Sequence, residues 1–375
     1  MESIKMKSGK ILPFLDIKPR DIMYKSICLY GVSSSGKSFI IRHLLNILKS
    51  DVDQILVISP TESANNSYAG IVPNCCIHSK LYMADPKSKK KQSDIDCGKR
   101  FLRHLIDRQE MLTSCCRRAN KLENLMLLYN RIDKDLRQEC DSILLKLKRN
   151  TTEAISKIER DKQPRQIKDM KIQSVEQMHQ ECEIKVIKMY LNKSNDYLTR
   201  KYTKNEFTDD EKIAFEFKNV NPQMVLILDD CAADIKPFLK TEEMRRLFYQ
   251  GRHYSITIII ACQDYTDLSV NLCKQIFLNI FTTTGASASN FTRTSSRYST
   301  EIQTQAVEAA EAAFREKYRK LVFNRETETF YAYKAPIVGK FKFGSDSLWA
   351  LCKKIENDGQ SLSKSNPYYD IFAND

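Results

Sequence analysis

The octapeptide Gly31-Val32-Ser33-Ser34-Ser35-Gly36-Lys37-Ser38 fits G-x-x-x-x-G-K-[S/T] and stands between two unlike hydrophobic patterns. Ahead of it, Ser26-Ile27-Cys28-Leu29-Tyr30 has the length and composition of a buried strand. Behind it, residues 39–48 carry apolar side chains at helical spacing. Strand, loop and helix in that order form a phosphate cradle. Gly31 and Gly36 permit backbone conformations that a side chain would block, so the N–H groups of Val32 to Ser35 and of the helix start face an anion. Lys37 is then expected to reach the β- and γ-phosphates of a nucleotide, and the Ser38 hydroxyl to ligate Mg²⁺. A serine-rich turn that merely fits the pattern is the bland alternative, and the flanking strand and helix argue against it.

Further buried strands follow. Gln54-Ile55-Leu56-Val57-Ile58-Ser59, closed by Pro60, reads as a second parallel strand. Met224-Val225-Leu226-Ile227-Leu228 ends in Asp229-Asp230, the form of a Walker B segment. At the carboxyl end of a strand beside the P-loop strand, Asp229 is expected to hold Mg²⁺ and Asp230 to orient the attacking water. Residues 241–250 read as a helix ending at Gly251. Arg252 and His253 come next, and the run from Ser255 to Cys262 ends at Gln263. An amide there can bond the γ-phosphate or its attacking water, or simply a neighbouring loop. Residues 277–282 read as a strand leading into a polar loop, Gly285 to Asn290. Arg293 and Arg297 beyond it are candidates for donation to a neighbouring subunit, and equally for plain surface. Residues 300–319 read as an amphipathic helix, and residues 320–333 as a hairpin that extends the sheet. Residues 1–25, marked by Pro13 and Pro19, read as an extended lead-in that covers a sheet edge or contributes to a neighbour.

Between residues 85 and 217 glycine and proline nearly vanish and the pattern turns helical. Leu105, Leu112, Cys115, Ala119, Leu122, Met126, Tyr129, Leu136, Cys140, Ile143 and Leu147 recur at three- and four-residue steps, interrupted at Asp133. Pro164 breaks the run, and Val175, Met178, Cys182 and Met189 resume it. This predicts a coiled-coil-like antiparallel hairpin without a globular core of its own, built on one helix of roughly sixty residues. Its basic residues, Lys87 to Lys91 and Arg117-Arg118 among them, fit a solvated face and a contact to DNA or a partner equally well. The expected organisation is a first part of the core at 1–84, a helical insertion at 85–217, a second part of the core at 218–340, and a C-terminal segment with a polar tail at 341–375.

The net charge of +13 over 375 residues favours a polyanionic partner such as nucleic acid over the alternative that it simply keeps a soluble protein dispersed. The twelve cysteines include the adjacent pairs Cys75-Cys76 and Cys115-Cys116 but no C-x-x-C, so they read as reduced thiols of a cytosol-like compartment, with no zinc ribbon and no disulfide framework. The N-terminus lacks an apolar signal region, and no apolar run is long enough to span a bilayer.

The set resembles the genome-packaging ATPases of large double-stranded DNA viruses, of poxvirus and giant-virus type, within the FtsK/HerA group of additional-strand P-loop ATPases. It is carried by Gly31 to Ser38, Ile58-Ser59-Pro60-Thr61, Leu228-Asp229-Asp230, Gly251-Arg252-His253 and Gln263. The resemblance implies an α/β P-loop NTPase fold with a RecA/FtsK-like, mostly parallel sheet flanked by helices, here interrupted by the helical insertion. It further implies an ATP site made by Lys37, Ser38, Asp229, Asp230 and Gln263, with Arg252 among the catalytic residues. A homo-oligomeric ring acting on double-stranded DNA, with capsid or virion-membrane proteins as further partners, would work in the host-cell cytoplasm at the viral assembly site and in the virion. Two departures stand out: Ser34 occupies a position where a third glycine is common, and the helical insertion has no counterpart.

Two other classes compete. A DNA-bridging ATPase of SMC type also separates its two nucleotide motifs by a coiled coil, but it needs an L-S-G-G-Q-like loop before the second motif, and none precedes Met224. A nucleotide-gated assembly factor could bind virion or membrane proteins through the insertion, although a gate has no need of the second acid.

Overall fold

The computed structural model describes residues 3–81, 94–292 and 298–360. The chain divides into two compact units, one of residues 1–110 with 222–375 and the other of residues 111–221.

In the first unit a short hairpin, β1 (Ser3–Lys5) and β2 (Ile11–Pro13), precedes the main sheet. The sheet strands are β3 (Ser26–Tyr30), β4 (Gln54–Ile58), β5 (Ile77–His78), β6 (Met224–Asp229), β7 (Ile256–Cys262), β8 (Leu278–Phe281), β9 (Lys320–Asn324) and β10 (Thr329–Tyr333). Among the described residues their order is β10-β9-β8-β3-β7-β6-β4-β5, parallel from β8 to β5, with β9 antiparallel to both its neighbours. Every residue of β3, β6 and β7 is buried, as a strand covered on both faces requires. Alternate residues feed different cores. Cys28, Tyr30, Leu226, Leu228, Ile258 and Ile260 join one, and Ile27, Leu29, Val225, Ile227 and Ile259 join the other. The second core also takes Ile40, Ile41, Leu44, Leu45 and Leu48 from α1 (Lys37–Leu48), the helix after the P-loop.

The lead-in covers the sheet edge as expected: Phe14 bridges Ala332, and the Leu15 N–H donates to the Ala332 carbonyl at 2.9 Å. Other expectations need correction. The Walker B strand β6 is not beside the P-loop strand, because β7 lies between them and pairs with both. Gly285 to Asn290 is not a loop but part of a helix, Thr284–Thr292, which buries Ser287, Asn290 and Phe291. Small side chains that read as turn formers here let a helix pack closely. Nor are all cysteines reduced: Cys75 and Cys352 form a disulfide across a sequence separation of 277, with Cα atoms 5.7 Å apart. No spacing rule reaches that far. It ties the turn before β5 to the C-terminal helix Asp346–Gln360. The tail from residue 361 and Lys87 to Lys91 lie outside the described residues.

The second unit begins at Met111 rather than at residue 85. The helix Asp94–Ala119 places Leu102, Leu105 and Ile106 in the core of the sheet unit, so its first part belongs there. The expected sixty-residue helix is broken twice, between Ala119 and Leu122 and between Tyr129 and Lys134. Asp133, read as a polar interruption of a seam, is a helix cap whose carboxylate accepts from the Asp135 N–H at 2.9 Å. Helices Lys134–Arg160 and Arg165–Lys193 do form the hairpin, with Pro164 at the turn. The unit also has a core of its own, built from Leu125, Leu128, Tyr129, Cys140, Ile187, Tyr190, Leu191 and Leu198 with Phe207 and Ala214. On the return helix Met178 and Met189 face outward, and the seam passes through Ile187 and Tyr190.

Candidate nucleotide site

The P-loop leaves the carboxyl end of β3. The Gly31 N–H donates to the Cys262 carbonyl at 3.2 Å, so the loop hangs from β7. A Cβ on Gly31 would overlap Thr282 Oγ1, which makes glycine obligatory by close approach. Gly36 (φ 94°) turns the chain into α1, and Ser34 takes a left-handed conformation too (φ 61°). Glycine adopts that conformation freely and serine does so at a cost, which gives the departure at Ser34 a physical meaning. Val32, Ser33 and Ser34 are exposed, while Ser35, Gly36 and Ser38 are half-buried.

Lys37 is 6% exposed, and its Nζ donates to the carbonyls of Gly31 (2.7 Å) and Val32 (3.2 Å). It also lies 3.9 Å from Asp230 Oδ1. The ammonium is thus held over the loop, with one acid of the Walker B pair facing it. Asp230 adopts φ 49°, a left-handed conformation for a non-glycine residue at the exit of β6.

Asp229 is 3% exposed. Its Oδ2 accepts a hydrogen bond of 2.7 Å from the Tyr68 hydroxyl, while Oδ1 is buried and has no partner among the described residues. Burial pushes its carboxyl up to about 6; the Tyr68 bond opposes that shift and the neighbouring Asp230 charge adds to it. A buried oxygen without a donor is what a cation would satisfy. Hard oxygen donors from Asp229 and the Ser38 hydroxyl fit Mg²⁺.

Gln263 follows β7 at the same end of the sheet, between the P-loop strand and the Walker B strand. Its N–H donates to Asp267 Oδ2 at 2.9 Å, and its side chain is exposed. Arg252 is different. It sits in a turn, Gly251–Tyr254, before β7 begins, at the opposite end of the strands from the P-loop. There it lines a cleft of about 570 Å³ with Arg20, Lys25, Lys274 and Arg325. The structure does not bring it to the P-loop of its own chain. Arg293 and Arg297 lie outside the described residues.

Two participants escaped the sequence reading. Tyr68 is fully buried and supplies the hydroxyl that holds Asp229. Glu62 fixes that tyrosine by accepting the N–H groups of Ser67 (2.9 Å), Tyr68 (2.8 Å) and Ala69 (3.1 Å). The available signal was Glu62 itself, a carboxylate just after Ile58-Ser59-Pro60-Thr61, where it can gather loop amides.

No protein-family model matches the chain. The chain is 37% identical over 371 residues to "Uncharacterized protein B354L" of African swine fever virus (isolate Pig/Kenya/KEN-50/1950), with 97% of each chain covered. It is 38% identical over 63 residues to "Uncharacterized protein 075L" of Invertebrate iridescent virus 6, a match to 17% of this chain and 24% of that protein. Among solved structures, the genome packaging NTPase B204 of Sulfolobus turreted icosahedral virus 2, in complex with ATP-gammaS, is 14% identical. That match covers 84% of this chain and 98% of the other, with a TM-score of 0.32. VirB4 of Thermoanaerobacter pseudethanolicus is 11% identical over 89% of this chain and 96% of the other, with a TM-score of 0.38.

Proposed function

The chain belongs to the family of the African swine fever virus protein B354L, and from that premise we propose that it is an ATP-driven motor that moves viral double-stranded DNA into a preformed capsid. The observation that carries this reading is the convergence of Lys37, Asp229 and Asp230 at one end of a sheet whose β7 stands between the P-loop and Walker B strands. That arrangement suits hydrolysis. The N–H groups of the loop and Lys37 bind the phosphates, and Asp230 orients a water on the γ-phosphate side. Bound Mg²⁺, held by Ser38 and Asp229, would offset the negative charge that the β- and γ-phosphates carry. Gln263, at the end of the strand between them, would report the state of the γ-phosphate through its side-chain amide. Tyr68 and Glu62 keep Asp229 oriented.

The DNA partner is supported by the net charge of +13. The ring is supported by Arg252, which has a use at an ATP site only if another copy supplies that site. The expected setting is the viral assembly site in the host cytoplasm, and the virion. Displacement of a third strand from duplex DNA tests the motor. ATP-dependent stripping at low salt that disappears in Lys37→Ala is the expected result.

A second reading, a nucleotide-gated assembly factor, is favoured by one observation. Leu145, Ile167, Met170 and Met178 on the hairpin are 44–72% exposed, a surface suited to protein contact. ATP hydrolysis without strand displacement would select it.

A further inference from the structure

A second ammonium stands at the phosphate loop, on the side away from the acids. Lys320 opens β9, which lies two strands from β3 across β8; Asp229 ends β6, which lies two strands from β3 across β7. Lys320 Nζ donates to the Ser35 carbonyl at 2.9 Å and to the Thr282 carbonyl at 3.3 Å. It lies 3.9 Å from where a Cβ on Gly36 would stand. The Ser35 side chain is held from the same side, with Thr282 Oγ1 2.7 Å from its Oγ. Across the β9–β10 ladder Lys320 pairs with Tyr333, whose hydroxyl lies 2.5 Å from Nδ1 of His43 on α1. The hairpin thus grips both the loop and the helix that follows it.

The charge on Lys320 is under-compensated. Burial lowers its pKa from the ordinary lysine value, and among the described residues no carboxylate forms a salt bridge with it. Lys37 has Asp230 at 3.9 Å; among the described residues Lys320 bonds the Ser35 and Thr282 carbonyls and no acid. A partly desolvated ammonium in that position is stabilised by an anion. The γ-phosphate must lie toward Asp229 and Asp230 if those acids serve hydrolysis. The remainder of the nucleotide then extends across the loop toward β8 and β9.

We propose that Lys320 is a second cationic contact of the nucleotide, made to the α-phosphate and ribose side that ATP and ADP share, while it also holds the Ser35 carbonyl away from the phosphates. The proposal rests on reading the P-loop as a nucleotide site. Neither the motif nor the spacing points to this lysine, which lies 283 positions after Lys37.

The test is equilibrium binding of ATP and of ADP, with Mg²⁺, to the full chain as wild type and as Lys320→Ala, Lys320→Met and Lys320→Arg. The methionine variant keeps the apolar stem in place if alanine disturbs folding. Both neutral variants should weaken ATP and ADP by a common factor of about tenfold, equivalent to about 1.4 kcal/mol. Lys320→Arg should recover most of the loss, and Lys320→Met should still melt cooperatively without nucleotide, at a temperature lowered by no more than the loss of its bonds to the Ser35 and Thr282 carbonyls explains. If the wild type binds neither nucleotide, the nucleotide-site reading itself fails and this proposal with it. If the wild type binds both, the proposal is overturned by neutral variants that bind normally. A loss confined to ATP, or an arginine variant no better than methionine, overturns it equally.

Discussion

The sheet unit and the helical unit bury their side chains in different ways. In the first, β3, β6 and β7 are buried along their whole length, and alternate residues lock into two cores. Rigid strand ends result: Asp229 ends β6, Asp230 and Gln263 follow β6 and β7, and Lys37 opens the helix after the loop that leaves β3. In the second, burial is confined to one end. The helix Lys134–Arg160 buries only Cys140, and Arg165–Lys193 buries only Ile187, Tyr190 and Leu191. The rest of the hairpin is a two-helix arm with exposed apolar side chains. Chemistry needs positions fixed to a fraction of an ångström, and only the sheet supplies them. The arm supplies surface.

This contrast breaks if damage at the sheet site spreads to the helical unit, or the reverse. The largest expected effect comes from Lys37→Ala. Turnover should fall by at least about 100-fold, as when a principal charge-stabilising group is removed. The melting of the helical unit, followed by hydrogen exchange over residues 111–221, should stay the same. Next is Tyr68→Phe, which removes one hydroxyl and leaves the ring packed. With Asp229 released from that bond, turnover should drop about tenfold and the Mg²⁺ concentration for half-maximal rate should rise, the effect of losing a charge-assisted bond. A titration of rate against Mg²⁺ reads both.

The third test acts on the other unit. Glu211 is buried, and burial raises its carboxyl pKa; the Arg131 guanidinium and the Thr208 N–H outweigh that and hold it below its ordinary value of 4.5. A depressed folded-state value contributes stability that is present above the unfolded pKa and lost as pH falls through the folded one. Glu211→Gln should therefore destabilise the helical unit by about 1–2 kcal/mol at neutral pH, discounted for the partly exposed Arg131. The penalty should shrink below the unfolded carboxyl value of 4.5, where the wild type loses the same interaction. ATP affinity should be unchanged, measured on the same samples. The smallest effect is Ser34→Gly. Relief of the left-handed serine against the extra freedom of an unfolded glycine should leave stability within about 1 kcal/mol of the wild type by thermal melting.

The parts of the site that were legible in the sequence are those carried by neighbouring residues. Gly31 to Ser38 present consecutive N–H groups on one loop, and Asp229-Asp230 end a strand, so a short window contains each candidate feature. Tyr68 acts on Asp229 from 161 positions away, and Cys75 meets Cys352 from 277 positions away. Such contacts exist only once the strands are ordered. The order itself was misjudged at one place, since a sequence of buried runs does not say that β7 enters between β3 and β6. In the helical unit, periodicity gave the helical character and Pro164 the turn, but not the breaks after Ala119 and Tyr129 nor the core of the unit, which depend on contacts between helices. Asp133 was ambiguous because a polar residue in a seam and a helix cap look alike until the backbone is seen.

The measurement that bears most directly on the motor is steady-state ATP hydrolysis with and without duplex DNA, at low salt, for the wild type and Asp230→Asn. DNA should stimulate the wild type, and the variant should bind ATP but show neither turnover nor stimulation. Turnover in the wild type that ignores DNA, or an Asp230→Asn variant that hydrolyses ATP normally, would contradict a DNA-coupled motor with Asp230 as the water-orienting acid.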